Sequence, residues 1–195
     1  MDELVSRETL VSRYFPQRER EIHSYVDLLV DQGVLRGLIG PREGERIWER
    51  HIFNSLPVLT LIPLGASVID IGSGAGLPGI PLALARPDIS ITLIEPLQRR
   101  VDFLLEACQG LPITVLRGRA QDFTIRAQVV TARAVAPLGK LQSICWHLLD
   151  KGGLLLAIKG QSAQEEASSV PGAQFHEIHC DGLDLGRVIS LQKGA

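Results

Sequence analysis

The segment Val68-Ile69-Asp70-Ile71-Gly72-Ser73-Gly74-Ala75-Gly76-Leu77-Pro78-Gly79 constrains the fold of this chain more than any other. A short β-branched run ends in a carboxylate, glycines follow at alternate positions, and proline marks a helix start. Glycine tolerates positive φ and lets the backbone approach a ligand closely. The pattern therefore reads as a tight strand-to-helix turn built against a bound cofactor.

The surrounding rhythm agrees. From about residue 66 strand and helix signals alternate, with strands expected at 67–71, 89–94, 113–116, 129–131 and 154–158 and helices at 78–85, 97–108 and 138–149. The first three strands are nearly continuous in apolar character, as in a parallel sheet covered on both faces. Two further strands, 174–179 and 188–191, are separated by Gly182 and Gly186 and suggest a hairpin closing the sheet edge. Residues 1–60 read as helical. Ile22, Tyr25, Val26 and Leu29 form an apolar stripe in 18–31 with Gly33 as its stop, and a second helix spans 45–59, broken or kinked at Pro57. The expected fold class is thus α/β: a doubly wound, Rossmann-like sheet over 66–195, mostly parallel with an antiparallel edge hairpin, preceded by a helical extension within one domain over 1–195.

Composition narrows the setting. With 45% hydrophobic and 22% charged residues among 195, the chain can bury a full core. No apolar run approaches the roughly 18 residues that span a bilayer, and the acidic start Met1-Asp2-Glu3 is unlike a signal peptide. Cys108, Cys145 and Cys180 are too scattered for a metal or disulfide framework, and a reducing cytoplasm fits. A net charge of −2 argues against coating nucleic acid through charge alone. Arg99, Arg100, Arg117, Arg119, Arg126, Arg133 and Lys140 still outnumber the acids of the middle third, and Arg42, Arg46 and Arg50 lie upstream. They form either a solvated face or a local basic face for nucleic acid.

Two cofactors compete for the glycine turn. Gly74 to Gly79 satisfies the dinucleotide pattern G-x-G-x-x-G, and Asp70 to Gly76 satisfies the acidic-x-G-x-G-x-G pattern of S-adenosylmethionine enzymes. A pyrophosphate at this helix start would be repelled by a nearby carboxylate, whereas the sulfonium and ammonium of S-adenosyl-L-methionine would be attracted. The dinucleotide register also leaves Gly72 unexplained. Asp70, Gly72, Gly74 and Gly76 are therefore read as the S-adenosylmethionine turn, with Asp70 facing the cations directly or through water. Glu95, closing the second strand, can accept both ribose hydroxyls.

The run Asp70 to Leu82 (DIGSGAGLPGIPL) resembles the glucose-inhibited division protein B family, bacterial methyltransferases of small-subunit ribosomal RNA. So do Arg100-Val101-Asp102-Phe103-Leu104, Gly118-Arg119-Ala120, Ala132-Arg133-Ala134-Val135-Ala136 and Ala157-Ile158-Lys159-Gly160. Arg50-His51-Ile52-Phe53-Asn54-Ser55 looks like the family's Arg-His-x-x-Asp-Ser segment. The matches run in order from about residue 50 to 160. The resemblance implies methyl transfer from S-adenosylmethionine to N7 of one guanine in 16S ribosomal RNA. The expected setting is the small subunit, with a cytoplasmic, monomeric enzyme that meets no membrane. It also carries cofactor contacts onto Gly72, Leu77, Ala120, Gln121 and Arg133. Departures are Gln121 and Asn54, where acids are common, and Gly37-Leu38 in place of an Asn-Leu signature.

Guanine N7 carries an in-plane lone pair and no proton, so its methylation requires no general base, and no catalytic acid or base is assigned. Alignment and exclusion of water carry the rate. Arg133 and Lys159 end the fourth and fifth strands, at the carboxyl edge where ligands bind. Arg133 is expected to seat the cofactor, and Lys159 or Arg119 to hold substrate phosphate or O6. Arg50 and His51 are placed on the substrate side, with His51 as a support rather than a reactant. Trp48 and Trp146 are expected as core anchors.

Overall fold

The computed structural model describes residues 5–40 and 42–194. Residues 1–3, read above for a leader, lie outside the described residues. The fold is a seven-stranded sheet of order β3-β2-β1-β4-β5-β7-β6. Its strands are β1 (Ser67–Ile71), β2 (Ser90–Glu95), β3 (Ile113–Arg117), β4 (Ala127–Arg133), β5 (Leu149–Ile158), β6 (Gln174–Ile178) and β7 (Gly186–Gln192). The first five are parallel, and β7 pairs antiparallel with both β5 and β6, so the tail hairpin inserts its second strand next to the sheet. Among the described residues six α-helices accompany it: α1 (Arg7–Tyr14), α2 (Glu19–Leu35), α3 (Gly79–Ala85), α4 (Gln98–Ala107), α5 (Leu138–Cys145) and α6 (Ala163–Ser168).

The period-two alternation of each strand splits the core into two layers. Val68, Leu93, Val129, Leu156 and Ile158 face a layer that contains Phe15, Ile22 and Leu29 from α1, α2 and their junction, Leu82 from α3 and Phe103 from α4. Ile69, Ile71, Val130, Leu155 and Ala157 face a layer with Leu138, Leu141 and Cys145 from α5 and Ala163 from α6. The N-terminal helices thus cover the same sheet face as α3 and α4. Trp48 is buried, edge-on to His23 at 5.1 Å and tilted against Phe53 at 5.5 Å.

Three details differ from the sequence expectations. Gly33 does not stop α2. It is buried inside the helix, and its carbonyl accepts the N–H of Leu38 at 2.7 Å while Gly37, at φ +63°, turns the chain. Residues 45–59 do not form one α-helix. A widened turn over Trp48–Ile52 is flanked by tight turns at Gly44–Arg46, Phe53–Ser55 and Pro57–Leu61. Within it the His51 carbonyl accepts from the Ser55 hydroxyl at 2.6 Å and from Arg133 at 3.2 Å. Finally, α6 is an additional helix; its apolar face is only Ala163 and Ala167, too slight a periodic signal to announce it.

Candidate active site

The chain leaves β1, crosses over through β2 and β3, and returns to the other side of β1 as β4. The carboxyl ends of β1 and β4 therefore flank the switch point where open α/β sheets bind ligands. The glycine turn folds back over β2 there: Gly72 and Ser73 donate to the Ile94 carbonyl at 2.8 and 3.2 Å. Gly72 and Gly76 have φ of +64° and +96°, which side chains avoid. A Cβ on Gly72 would stand 2.9 Å from Val135, and one on Gly76 2.4 Å from Ile80. The turn is also held from α2, where the buried Tyr25 hydroxyl donates to the Ala75 carbonyl at 2.8 Å. Burial raises its pKa above the usual phenol value and keeps it a donor.

Asp70 lies beneath the turn instead of facing outward. Its carboxyl is fully buried and accepts from the Thr131 hydroxyl at 3.0 Å and the Gly79 N–H at 3.3 Å. Burial pushes its pKa up to about 6 against the pull of those hydrogen bonds. The structure thus departs from the expectation of a carboxylate turned toward the cofactor's cations. Asp70 joins β1 to the start of α3 and to β4. Leu77 is likewise buried in the apolar layer. Glu95 ends β2 and bonds to the turn itself. It is 1% exposed, and its two oxygens accept the Gly74 N–H at 2.9 Å and the Leu97 N–H at 3.0 Å, with Arg100 3.7 Å away. Each oxygen keeps acceptor capacity for a neighbouring diol.

Two cavities open at this edge. The smaller, of about 290 Å³, is lined by apolar Ile71, Ile94, Pro96, Ala120, Val135 and Ile144, by Gly72 and Gly118, and by polar Arg119, Gln121 and Lys140. This residue set fits S-adenosylmethionine: an apolar slot for adenine, an amide for its edge, and Glu95 beside it for the ribose. The larger, of about 510 Å³, is lined by Arg46, Glu49, Arg50 and Asn54 from the N-terminal segment, Arg133 at the end of β4 and Ala134 after it, Lys159 after β5, and Asp184 and Arg187 from the tail hairpin. The cavities adjoin across three consecutive residues, since Arg133 and Ala134 line the larger and Val135 the smaller. Ala134 takes φ +54°, a conformation that non-glycine residues hold only where the surroundings enforce it.

The substrate-side expectations separate. Arg50 lines the large cavity and reaches Glu43 at 3.1 Å. His51 lies behind Arg133, whose Nη2 donates to its Nδ1 at 2.5 Å. Arg119 lines the small cavity, and its N–H donates to Asp122 at 2.7 Å. Lys159 is not a free cation: its ammonium donates to the Ala136 carbonyl and to Glu166, both at 2.9 Å. Glu166 in turn accepts the Leu138 N–H, so the pair fixes the loop after β4. The sequence reading missed Tyr25, Glu43, Glu166 and Arg187. None carries a motif, and Tyr25 was visible only as part of the core stripe of α2.

Solved structures share this fold. The chain resembles a methyltransferase from Pyrococcus furiosus (TM-score 0.55, 13% identity, 72% of this chain and 81% of that one). It also resembles a predicted O-methyltransferase from Agrobacterium tumefaciens (TM-score 0.56, 20% identity, 74% and 81%). The fold, with the glycine turn at its switch point, is thus one that methyltransferases share.

The sequence narrows the class further. Residues 18–179 match the family GidB, rRNA small subunit methyltransferase G. Proteins named ribosomal RNA small subunit methyltransferase G are 52% identical in Salinispora tropica, over 84% of this chain and 70% of that protein, and 57% identical in Thermobifida fusca, over 87% and 72%. This chain belongs to the GidB family.

Proposed function

We propose that the chain transfers a methyl group from S-adenosylmethionine to N7 of a guanine in 16S ribosomal RNA, within the small ribosomal subunit. The observation that carries this reading is the adjacency of an apolar, nucleoside-fitting cavity and a larger cationic one across Arg133-Ala134-Val135. When bound, S-adenosylmethionine supplies an electrophilic methyl group on a sulfonium. Glu95 would hold the ribose, Gln121 and the backbone at Ala120 the adenine edge, and Arg133 the amino-acid end. The turn glycines at 72, 74 and 76 would bring the backbone close, while Asp70 and Leu77 would keep the turn in place from below.

The remaining residues act on the RNA. Arg46, Arg50 and Arg187 would neutralise phosphates around the target nucleotide, and Arg119 would extend that surface to the cofactor cavity. The Lys159–Glu166 pair would hold the loop that separates the two ligands. Since N7 has no proton to lose, the protein need only align the acceptor and keep water out. The whole site, with N-terminal and C-terminal walls, is built within one chain, which supports a single-domain monomer as the working unit. Among the described residues no helix is long and apolar enough to cross a membrane, in keeping with action on ribosomes in the cytoplasm.

Titration with S-adenosylmethionine and with NAD, followed by labelled methyl transfer to unmodified small subunits and to bare 16S RNA, tests the proposal. Cofactor binding without transfer to either RNA form would refute it.

A further inference from the structure

Arg133 is held from the N-terminal segment by a directional chain of hydrogen bonds. Its Nη2 meets His51 Nδ1 at 2.5 Å, and its Nη1 meets the His51 carbonyl at 3.2 Å and the buried Ser55 hydroxyl at 3.3 Å. On the far side of the ring, His51 Nε2 lies 2.6 Å from Glu43 Oε2. A guanidinium can only donate, so Nδ1 must carry a lone pair, and the ring proton must sit on Nε2, where it donates to the carboxylate. The chain therefore closes only when His51 is neutral and in one tautomer. Protonation would set an Nδ1–H against the guanidinium N–H groups and two cations against each other.

We propose that Glu43 and His51 are positioning residues for Arg133, orienting its guanidinium at the boundary of the two cavities, and that they do so only while the imidazole is neutral. The proposal rests on the reading of Arg133 as a cofactor residue. It goes beyond that reading by assigning the N-terminal segment a part in cofactor affinity. The groups that face His51 are Glu43 and Arg50 from its own segment and Arg133 from β4. Those that face Arg133 are Tyr25 from α2, Asp70 from β1 and Glu43. Burial, and then the neighbouring Arg133, hold His51 below the ordinary histidine pKa against the opposing pull of Glu43, so the neutral form is the resident one at neutral pH.

Two substitutions separate positioning from mere packing. In His51→Asn the amide oxygen takes the place of Nδ1 and still accepts from Arg133. In His51→Gln the amide nitrogen takes the place of Nε2, so the bond to Glu43 survives and the acceptor for Arg133 is lost. Calorimetry with S-adenosylmethionine at neutral pH should give His51→Asn an affinity within about threefold of the native chain and His51→Gln a loss of about tenfold or more, the effect of one hydrogen bond to a charged group. On the acid side the affinity of the native chain should fall with about one proton more than that of His51→Asn, the remaining slope belonging to Asp70. Equal losses in the two variants, no loss in either, or an unchanged proton count in His51→Asn would overturn the proposal. Nitrogen-15 spectra of the ligand-free protein give an independent reading: His51 should show the Nε2–H tautomer, and its titration should move upward in Arg133→Ala. If that shift appears while Arg133→Ala leaves cofactor affinity unchanged, the positioning chain stands and the cofactor role of Arg133 fails.

Discussion

Replacing Asp70 with asparagine isolates the consequence of burying a carboxyl under the glycine turn. Asp70 has no exposed surface, and burial pushes its pKa from the ordinary 3.8 up to about 6. That difference is worth about 3 kcal/mol between the two protonation states. Because the folded value lies above the unfolded one, the associated stability is fully present below about pH 4 and is lost as pH rises through about 6. Asparagine cannot ionise and lacks this slope. Its NH2 group can donate to the Thr131 hydroxyl while its oxygen accepts the Gly79 N–H, the arrangement open to the protonated acid as well. Urea unfolding at about pH 4.5 and about pH 7.5 should show Asp70→Asn gaining about 2 kcal/mol on the native chain between the two conditions. A mutational difference that does not change with pH would refute the buried, proton-retaining carboxyl. A change of opposite sign would mean that Asp70 is ionised and paired with a cation in the folded chain.

Further outcomes follow from the turn and the cationic cavity. Gly72→Ala should lose about 1–2 kcal/mol from its positive φ and, by pressing on Val135, weaken cofactor binding about tenfold or more. Gly65→Ala, at φ +66° with nothing within 4 Å, should lose similar stability in urea and leave calorimetric affinity unchanged. Tyr25→Phe leaves the Ala75 carbonyl unpaired under the turn and should cost about 1–3 kcal/mol in urea unfolding. Arg46→Ala and Arg187→Ala should each weaken RNA binding and lower the salt slope by about one while leaving S-adenosylmethionine affinity intact, as read by filter binding across salt concentrations.

What was legible in the sequence followed from local physics. The strand at 67–71 was readable to the residue because its β-branched run is buried on both faces and stops at a glycine that must take positive φ. The edge hairpin was readable from the two glycines, Gly182 and Gly186, between its strands. The irregular path through Trp48–Ile52 was not, because the groups that bond to the His51 carbonyl include Arg133, 82 residues away. The burial of Asp70 was hidden for a related reason: its position at a strand end suggests exposure, yet Gly79 brings α3 close enough to cover it, where a Cβ would stand 3.0 Å from the carboxyl and 2.3 Å from Leu93. Lys159 and Arg133 were legible as cations at the sheet's carboxyl edge, but their partners Glu166 and His51 come from separate elements and decide what each cation is free to do.

The central claim is that the chain methylates guanine N7, and it is met most directly by digesting small-subunit RNA to nucleosides after reaction with isotopically labelled S-adenosylmethionine. The account predicts label in 7-methylguanosine at about one per subunit, and a lower initial rate of labelling from Gly72→Ala at a cofactor concentration that only just saturates the native chain. Label in a base-methylated adenosine or cytidine, in a ribose, or in ribosomal protein alone would contradict it.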